Sequence, residues 1–86
     1  MIFEIIWTPT AANELKYWLK HNQKKSSKIK LICQSIQSSP KEGLGKPERL
    51  KHLNENVWSR RIDQEHRLVY KIKDNSIYIL QCRYHY

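Results

Sequence analysis

The hydrophobic pattern changes its period along this 86-residue chain, and that change constrains the fold more than any other feature. Residues 2–7 are rich in β-branched and aromatic residues, which is typical of a strand, and Thr8 followed by Pro9 predicts the start of a helix. Two segments with helical spacing follow, and then three segments in which apolar and polar residues alternate. This order predicts an α+β domain.

Each helical segment places its large apolar residues on one face, at spacings of three and four. They are Ala11, Leu15, Trp18 and Leu19 in the first helix, and Ile29, Ile32, Cys33 and Ile36 in the second. Ser26 or Ser27 is the expected cap of the second helix, and residues 38–40 end it. The two stripes predict a helical hairpin packed on one face of a sheet.

Segments at residues 57–63, 67–73 and 76–84 read as strands, and a short extended piece near residues 48–50 is expected to pair with them. Asp74-Asn75 predicts a hairpin turn, because Asn tolerates positive φ. The predicted fold is α+β, with a two-helix hairpin packed on one face of a small, twisted and mainly antiparallel β-sheet. One domain spans residues 1–86, and the other sheet face stays available for a substrate.

Basic residues outnumber acidic ones by 16 to 8, so the formal net charge is +8. The excess is spread evenly: residues 1–43 hold seven basic and three acidic residues, and residues 44–86 hold nine and five. A field of this kind favours a polyanion, such as nucleic acid, an anionic membrane surface or an acidic protein. A core of this size is modest, so a partner or a second copy would add useful buried surface.

Membrane and metal functions find little support. No apolar stretch approaches the ~20 residues of a membrane span, and residues 1–4 begin no signal peptide. Cys33 and Cys82 lie in apolar runs without metal-ligand spacing. We therefore expect reduced, buried thiols in a cytosolic protein, with no metal and no cofactor.

Five short motifs carry a family resemblance: GKPE at residues 45–48, LKH at 50–52, WSRRI at 58–62, EHRLVY at 65–70 and CRYHY at 82–86. Together they resemble the YoeB (Txe) branch of the RelE-type toxins, which are ribosome-dependent mRNA interferases of bacterial type II toxin–antitoxin systems. The resemblance covers nearly the whole chain, although the helices are similar in pattern more than in residues.

The resemblance implies a compact fold like that of the microbial ribonucleases and a toxin that inhibits translation. It implies an endoribonuclease that cleaves mRNA in the decoding (A) site of the ribosome, in the bacterial cytoplasm. An acidic antitoxin of the YefM type would inhibit it, and a family-like homodimer is compatible with the chain. Metal-free RNA cleavage needs a base for the 2′-hydroxyl proton, an acid for the 5′-oxygen and cations for the phosphate.

The sequence offers a candidate for each of these roles. By resemblance, Glu48 is the general base and Arg67 stabilises the phosphate. His85 is the general acid, a role that suits an imidazole because its ordinary pKa of about 6.5 lets it donate a proton at neutral pH. Tyr86 would position the substrate, by stacking on a base or by donating to the phosphate.

Strand alternation bears on the arginines independently of the resemblance. Arg67 points away from the face that holds Leu68 and Tyr70, and therefore away from the helix-packed core. Arg60 and Arg61 point to opposite faces, so only one of them can serve the site directly. By resemblance we choose Arg61.

Further RNA contacts are assigned to Lys51, by resemblance, and to Tyr84, which shares the face of Tyr86 if the last strand keeps its register. His52 and His66 are expected to be structural or hydrogen-bonded rather than catalytic. Two other functions remain open: a ParE-like toxin that poisons DNA gyrase, which would not need the acid and base set, and an RNA-binding module without catalysis, which the basic charge and the interleaved aromatics would also fit.

Overall fold

The computed structural model describes residues 2–53 and 55–84. In chain order its elements are β1 (Glu4–Trp7), α1 (Pro9–His21), α2 (Gln23–Ser38), β2 (Glu48–Arg49), β3 (Val57–Arg61), β4 (Arg67–Lys73) and β5 (Ser76–Gln81). The predicted order of a strand, a helical hairpin and a series of strands is confirmed.

A single five-stranded sheet has the strand order β1, β5, β4, β3, β2. β1 runs parallel to β5, whereas the other neighbouring pairs are antiparallel. Both helices pack on one face of this sheet. The α+β architecture with a mainly antiparallel sheet is therefore confirmed.

The first helix begins and packs largely as its sequence predicts. The Thr8 Oγ1 accepts a hydrogen bond from the Ala11 N–H at 3.3 Å, and Pro9 occupies the first turn, where no N–H is needed. Trp18 is buried in the core, as expected. Leu19 differs from the prediction: it lies at the edge of the apolar stripe and is 56% exposed.

The cap predicted for the second helix is wrong. α2 begins directly after Asn22, whose Oδ1 accepts from the Lys25 N–H at 3.3 Å, so neither Ser26 nor Ser27 caps it. Asn22 also donates its own N–H to the Trp18 C=O at 2.8 Å. One residue therefore ends α1 and starts α2, which makes the helical hairpin tight.

The last strand ends earlier than its alternation predicts, because side chains of α1 form hydrogen bonds with the backbone N–H and C=O of Cys82. β5 stops at Gln81 instead of continuing to residue 84. The Cys82 N–H donates to the Glu14 carboxylate at 2.8 Å, and the Cys82 C=O accepts from the Trp18 indole at 2.9 Å. The chain beyond β5 consequently follows the helix rather than the sheet.

The turn between β4 and β5 lies at Asp74-Asn75, as predicted. Asp74 rather than Asn75 adopts the positive φ, 56°. Aspartate is enriched in this region for the same reason as asparagine, since its short polar side chain tolerates the left-handed conformation.

Apolar clusters lie on both faces of the sheet. The larger one fills the space between the helices and the sheet and includes Ile29, Ile32, Ile36, Leu68, Tyr70 and Ile79. The smaller one lies on the opposite face and consists of Leu50, Val57 and Val69 with the half-buried Leu80. The alternation predicted for β4 is thus confirmed.

Arg60 is fully buried on the helix-packed face of β3, where alternation calls for an apolar residue. Each of its five N–H groups has an acceptor. Nε donates to the Tyr70 hydroxyl at 3.1 Å, Nη1 to Ser35 Oγ at 2.8 Å and Leu44 O at 3.0 Å, and Nη2 to Ser39 O at 2.6 Å and Glu42 O at 2.9 Å.

Dipoles, rather than a carboxylate, compensate the buried charge of Arg60. Three of the acceptors are main-chain carbonyls of residues 39–44, and Ser35 lies in the last turns of α2, near the negative end of the helix dipole. The Tyr70 hydroxyl, whose pKa is raised by burial, donates to the Pro40 C=O at 2.7 Å. Arg60 therefore fixes the segment after α2 against the sheet.

We expect Arg60→Lys to lower the free energy of unfolding by about 3 kcal/mol or more, because an ammonium has three donors and leaves buried acceptors unpaired. The matched control is Arg61→Lys, one residue away on the opposite, exposed face, which should change stability by less than about 0.5 kcal/mol. Urea unfolding of both variants measures the difference. Equal losses would contradict the structural role of Arg60.

Asp63 holds the turn between β3 and β4. Its Oδ1 accepts from the N–H groups of Glu65 and His66 at 2.8 and 2.6 Å, and its Oδ2 pairs with the Lys25 ammonium of α2. The backbone N–H of Asp63 also donates to the His66 C=O at 3.3 Å, so the chain turns here and β3 ends before the predicted residue 63. Burial alone would raise the pKa of the Asp63 carboxyl, but Lys25 and the N–H donors outweigh it and lower the pKa from 3.8 to about 2.

The lowered pKa of Asp63 predicts a pH-dependent stability. Because the folded-state pKa lies below the unfolded value, the stabilisation is complete above that unfolded value and is lost as the pH falls from about 4 toward 2. We expect Asp63→Asn, which keeps the acceptor oxygen, to lower the free energy of unfolding at pH 7 by about 1 to 2 kcal/mol, allowing for a side chain that is 30% exposed.

The measurement is urea unfolding of wild type and Asp63→Asn at pH 7 and pH 2, with Asp74→Asn at the exposed hairpin turn as the control. The difference between wild type and Asp63→Asn should close at pH 2. An undiminished difference at pH 2 would assign the effect to packing or hydrogen bonding instead of charge.

Candidate functional site

The sheet face opposite the helices carries three of the charged residues predicted for the site. Strand pairing sets Glu48 opposite Ser59 and Arg61 opposite Arg67. Directly paired residues share a face, and so do residues two apart along one strand. Glu48, Arg61 and Arg67 therefore lie on one face, and Arg60 lies on the other.

A cavity of about 250 Å³ lies at one end of this face. Its lining consists of Lys46, Pro47, Glu48, Ser59, Arg61 and Arg67. Three of these side chains are cationic and one is anionic. Arg61 and Arg67 are direct cross-strand neighbours, and like charges so placed repel one another. An anion bound between them would relieve that repulsion, so the cavity is built to favour one.

Arg67 has a hydrogen-bonding capacity that the described residues leave unused. Its Nη1 is buried and, within residues 2–53 and 55–84, meets no acceptor. A buried donor without a partner costs about 1 to 3 kcal/mol, and such groups are rare in folded proteins. The planar guanidinium suits the oxygens of a carboxylate or a phosphate, so an anionic ligand would satisfy it.

The loop before β2 brings Glu48 to the cavity. The Gly45 C=O accepts from the Arg61 N–H at 2.7 Å, and Gly45 has a φ of 88°. A Cβ at this position would lie 3.1 Å from the Arg60 Cβ and from the Arg61 O. Because only glycine fits there without a shift, Gly45 ties the loop closely to the strand that carries Arg61.

The segment after β5 lies beside β4 and is hydrogen-bonded to Arg67, which lines the cavity. The Tyr84 C=O accepts from the Arg67 N–H at 3.1 Å, and the Tyr84 N–H donates to His66 Nδ1 at 2.7 Å. His66 is buried against Trp18, with ring centroids 4.8 Å apart, so it has the expected structural role.

Arg83 connects the segment after β5 to α1 through cation–π contacts. Its guanidinium lies 3.4 Å from the ring centroid of Tyr17 in α1 and 4.6 Å from that of Tyr84. Tyr84 has a φ of 69° and lies outside any strand, so the expected strand register at this position is wrong. The Tyr84 ring is exposed and does not line the cavity.

The remaining predicted site residues lie apart from the cavity or outside the described residues. Lys51 is exposed and borders a neighbouring depression of about 440 Å³, which it shares with Glu48. His52 is exposed and lines the same depression. The predicted acid His85 and the predicted positioning residue Tyr86 lie outside the described residues.

Two residues escape the sequence-based assignment. Arg60 has a structural role that strand parity could have revealed, because the alternation of β3 places it on the core face, where a charge must find buried partners. Lys46 lines the cavity and adopts a φ of 52°. No local pattern predicts that conformation in a lysine.

Both cysteines are free thiols, and Cys82 is buried as predicted, whereas Cys33 is half-buried. Burial raises the pKa of Cys33 to about 11 and that of Cys82 to about 12, so both stay protonated at neutral pH. Among the described residues, no three His, Cys, Asp or Glu side chains are grouped so that they could hold a metal ion. In the same part of the chain, no helix is long and apolar enough to cross a membrane.

Comparison with known proteins gives the chain its family. Residues 7–86 match the YoeB-like toxin of bacterial type II toxin-antitoxin system. The chain belongs to this family. The matched region contains the cavity, the helical hairpin and the carboxy-terminal segment, so the resemblance predicted from the five motifs is confirmed.

Individual YoeB proteins agree with this chain over almost their whole length. The toxin YoeB of Escherichia coli O6:H1 is 43% identical over 83 residues, which are 96% of this chain and 99% of that protein. The structure of a YoeB dimer from Staphylococcus aureus superposes with a TM-score of 0.90 at 42% identity and 100% coverage of both chains. A YoeB-YefM complex from the same organism gives a TM-score of 0.82 at 41% identity, again with 100% coverage of both.

The cation-rich cavity predicts that phosphate stabilises the protein. At ten times its dissociation constant, an anion that binds only the folded state adds about 1.4 kcal/mol. We expect thermal unfolding to shift upward in phosphate relative to chloride at equal ionic strength, and Arg67→Gln to lose most of that shift. Lys73→Gln, at the exposed far end of β4, should keep it and so controls for the general effect of phosphate on apolar burial. If phosphate raised the unfolding temperature of Arg67→Gln and Lys73→Gln equally, Arg67 would not form a specific anion site.

Proposed function

We propose that this chain is the toxin of a type II toxin–antitoxin pair and acts as an endoribonuclease that cleaves mRNA in the ribosomal A site. The observation that carries the proposal is the cavity in which the Glu48 carboxylate adjoins the paired Arg61 and Arg67. A carboxylate beside two guanidinium groups provides a proton acceptor and a phosphate binder within one small volume. Membership of the YoeB family supports the same reading.

The proposed reaction is a transphosphorylation through the 2′-hydroxyl, without a metal. Glu48 accepts the 2′-hydroxyl proton as the oxygen attacks the neighbouring phosphorus. Arg67, assisted by Arg61, neutralises the charge that develops on the phosphorane oxygens. His85 then protonates the 5′-oxygen as its bond to phosphorus breaks. The products are a 2′,3′-cyclic phosphate and a free 5′-hydroxyl, so atoms and protons balance.

The strongest support for the role of Arg67 is that its guanidinium is preorganised to bind an anion. Its backbone is fixed in β4 and by the Tyr84 C=O, while its buried Nη1 lacks an acceptor in the described part of the chain. A donor that is already oriented when charge develops costs no reorganisation in the transition state. A well-placed arginine on a transferring phosphoryl group is worth about 10³-fold or more.

The sequence neighbour of the acid candidate supports its role. His85 directly follows Tyr84 in the sequence, and the Tyr84 C=O accepts a hydrogen bond from the N–H of the phosphate-binding Arg67. Tyr86 would position the nucleotide. Lys51 and the exposed Tyr84 would contact RNA around the cavity rather than within it.

Dependence on the ribosome fits the size of the cavity. At about 250 Å³ it is smaller than the clefts of about 300–1,000 Å³ that enclose drug-sized ligands. A site that cannot enclose a nucleotide needs the substrate to be oriented by something else, and such orientation can supply much of a rate enhancement. The ribosomal A site would hold the mRNA in that orientation, in the bacterial cytoplasm.

An acidic antitoxin of the YefM type is the proposed inhibitor. A net charge of +8 favours an acidic partner, and the related Staphylococcus aureus protein forms a complex with YefM. The antitoxin would cover or distort the cavity. The dimer of the S. aureus relative also supports a homodimer of this chain.

The test is cleavage of mRNA on programmed bacterial ribosomes, with the 3′ ends mapped. We expect wild type to cut in the A site only when ribosomes are present, and Glu48→Gln, Arg67→Gln and His85→Gln each to lower the rate by about 10²-fold or more. A message with a 2′-deoxynucleotide at the cut should resist cleavage, because the nucleophile is missing. Glu4→Gln is the matched control, because it changes an exposed glutamate on β1, at the opposite edge of the sheet from β2.

Other outcomes would favour the competing functions. Binding of RNA without cleavage, unchanged in His85→Gln, would indicate a non-catalytic RNA-binding module. An intact message together with inhibition of DNA gyrase would indicate a ParE-like toxin. Cleavage of the deoxy-substituted message would contradict the 2′-hydroxyl mechanism while keeping the nuclease activity.

A further inference from the structure

We propose that Lys46 is a third cation that contacts the substrate and binds an RNA phosphate together with Arg61 and Arg67. The proposal rests on the proposed function and adds a residue that the mechanism above does not use. Three observations support it: the backbone conformation of Lys46, its position in the cavity, and the absence of an ion pair between its ammonium and residues 2–53 or 55–84.

Lys46 adopts a backbone conformation that lysine normally avoids. Its φ of 52° lies in the left-handed region, which costs free energy in any residue with a Cβ. Pro47 follows it, and a proline sterically drives the preceding residue toward extended conformations. The strain at this position therefore has two sources.

The surroundings of Lys46 hold it in place. On one side, the Gly45 C=O is bonded to the Arg61 N–H. On the other, Glu48 is paired with Ser59 in the sheet. The bend at Lys46 joins these two fixed points and sets the residue on the wall of the cavity. If the bend were the only requirement, glycine would satisfy it at lower cost, so the lysine side chain itself is the feature to be explained.

The charge of Lys46 has no structural use in the described part of the chain. The residue is exposed, and no ion pair ties its ammonium to residues 2–53 or 55–84. It adds to the repulsion between Arg61 and Arg67 in the same cavity. A phosphate removes the repulsion among all three cations, and a lysine on its flexible stem can follow a phosphate that the fixed arginines orient.

Lys46→Gly separates the backbone role from the role of the charge. Glycine relieves the left-handed strain, so the urea midpoint of the variant should rise. Loss of one charge-assisted contact should lower the single-turnover cleavage rate on ribosomes by about tenfold or more. A residue that only shapes the loop would give the first change without the second.

Three further variants isolate the charge. Lys46→Gln keeps the strain and a polar side chain only one atom shorter, but it should cleave about tenfold more slowly. Lys46→Arg should stay within about threefold of wild type. Lys41→Gln is the matched control, because it removes an exposed lysine near the same loop that does not line the cavity, and it should cleave like wild type.

The outcomes distinguish this proposal from the proposed function. If wild type cleaves and both Lys46→Gly and Lys46→Gln cleave at the wild-type rate, the role of Lys46 is overturned while the function stands. If Lys46→Gly lowers the urea midpoint, the argument from strain is overturned. If wild type itself leaves the message intact on ribosomes, the proposed function fails, and the role of Lys46 in cleavage fails with it.

Discussion

The five hydrogen bonds of the buried Arg60 guanidinium are the interaction on which the rest of this structure depends. They join the end of α2, the following loop and the centre of the sheet at one point. Because the acceptors are mainly backbone carbonyls, Arg60 specifies the path of the chain rather than the identity of other side chains. That path continues to Gly45, which bonds to β3, and then to Glu48. The next residue on the strand, Arg61, faces the cavity, so one pair of adjacent arginines builds the loop and supplies the site.

The cavity combines several features that are energetically unfavourable in a folded protein. Arg61 and Arg67 oppose one another, a buried donor of Arg67 lacks an acceptor within the described residues, and Lys46 has a left-handed backbone. Each of these features disfavours the folded state by itself. A bound phosphate would compensate all of them except the backbone strain, and such a concentration of local conflicts is typical of a functional site. The core on the other face of the sheet shows no comparable cluster among the residues described.

Much of this arrangement was accessible from the sequence, because it follows from periodicity. Helical spacing located the hairpin, and strand parity put Arg67 on the face away from the helices. What the sequence could not supply depends on contacts between distant segments. Asn22 caps α2 only because α1 ends beside it, and Cys82 leaves the sheet only because Glu14 of α1 accepts its N–H. The bend at Lys46 is likewise imposed by the hydrogen bond of Gly45 on one side and the strand pairing of Glu48 on the other. The residues next to Lys46 in the sequence do not predict it.

The parallel pairing of β1 with β5 affects when the sheet can form during synthesis of the chain. The Thr8 hydroxyl at the end of β1 donates to the Ile79 C=O, 71 residues further along the chain. Helices can form from local contacts as the chain leaves the ribosome. β1 has no strand to pair with until β5 has been synthesised, because β5 is its neighbour in the sheet. Until then β4, the strand of Arg67, is also an open edge. The order of the strands thus delays completion of the sheet until the last strand has been translated.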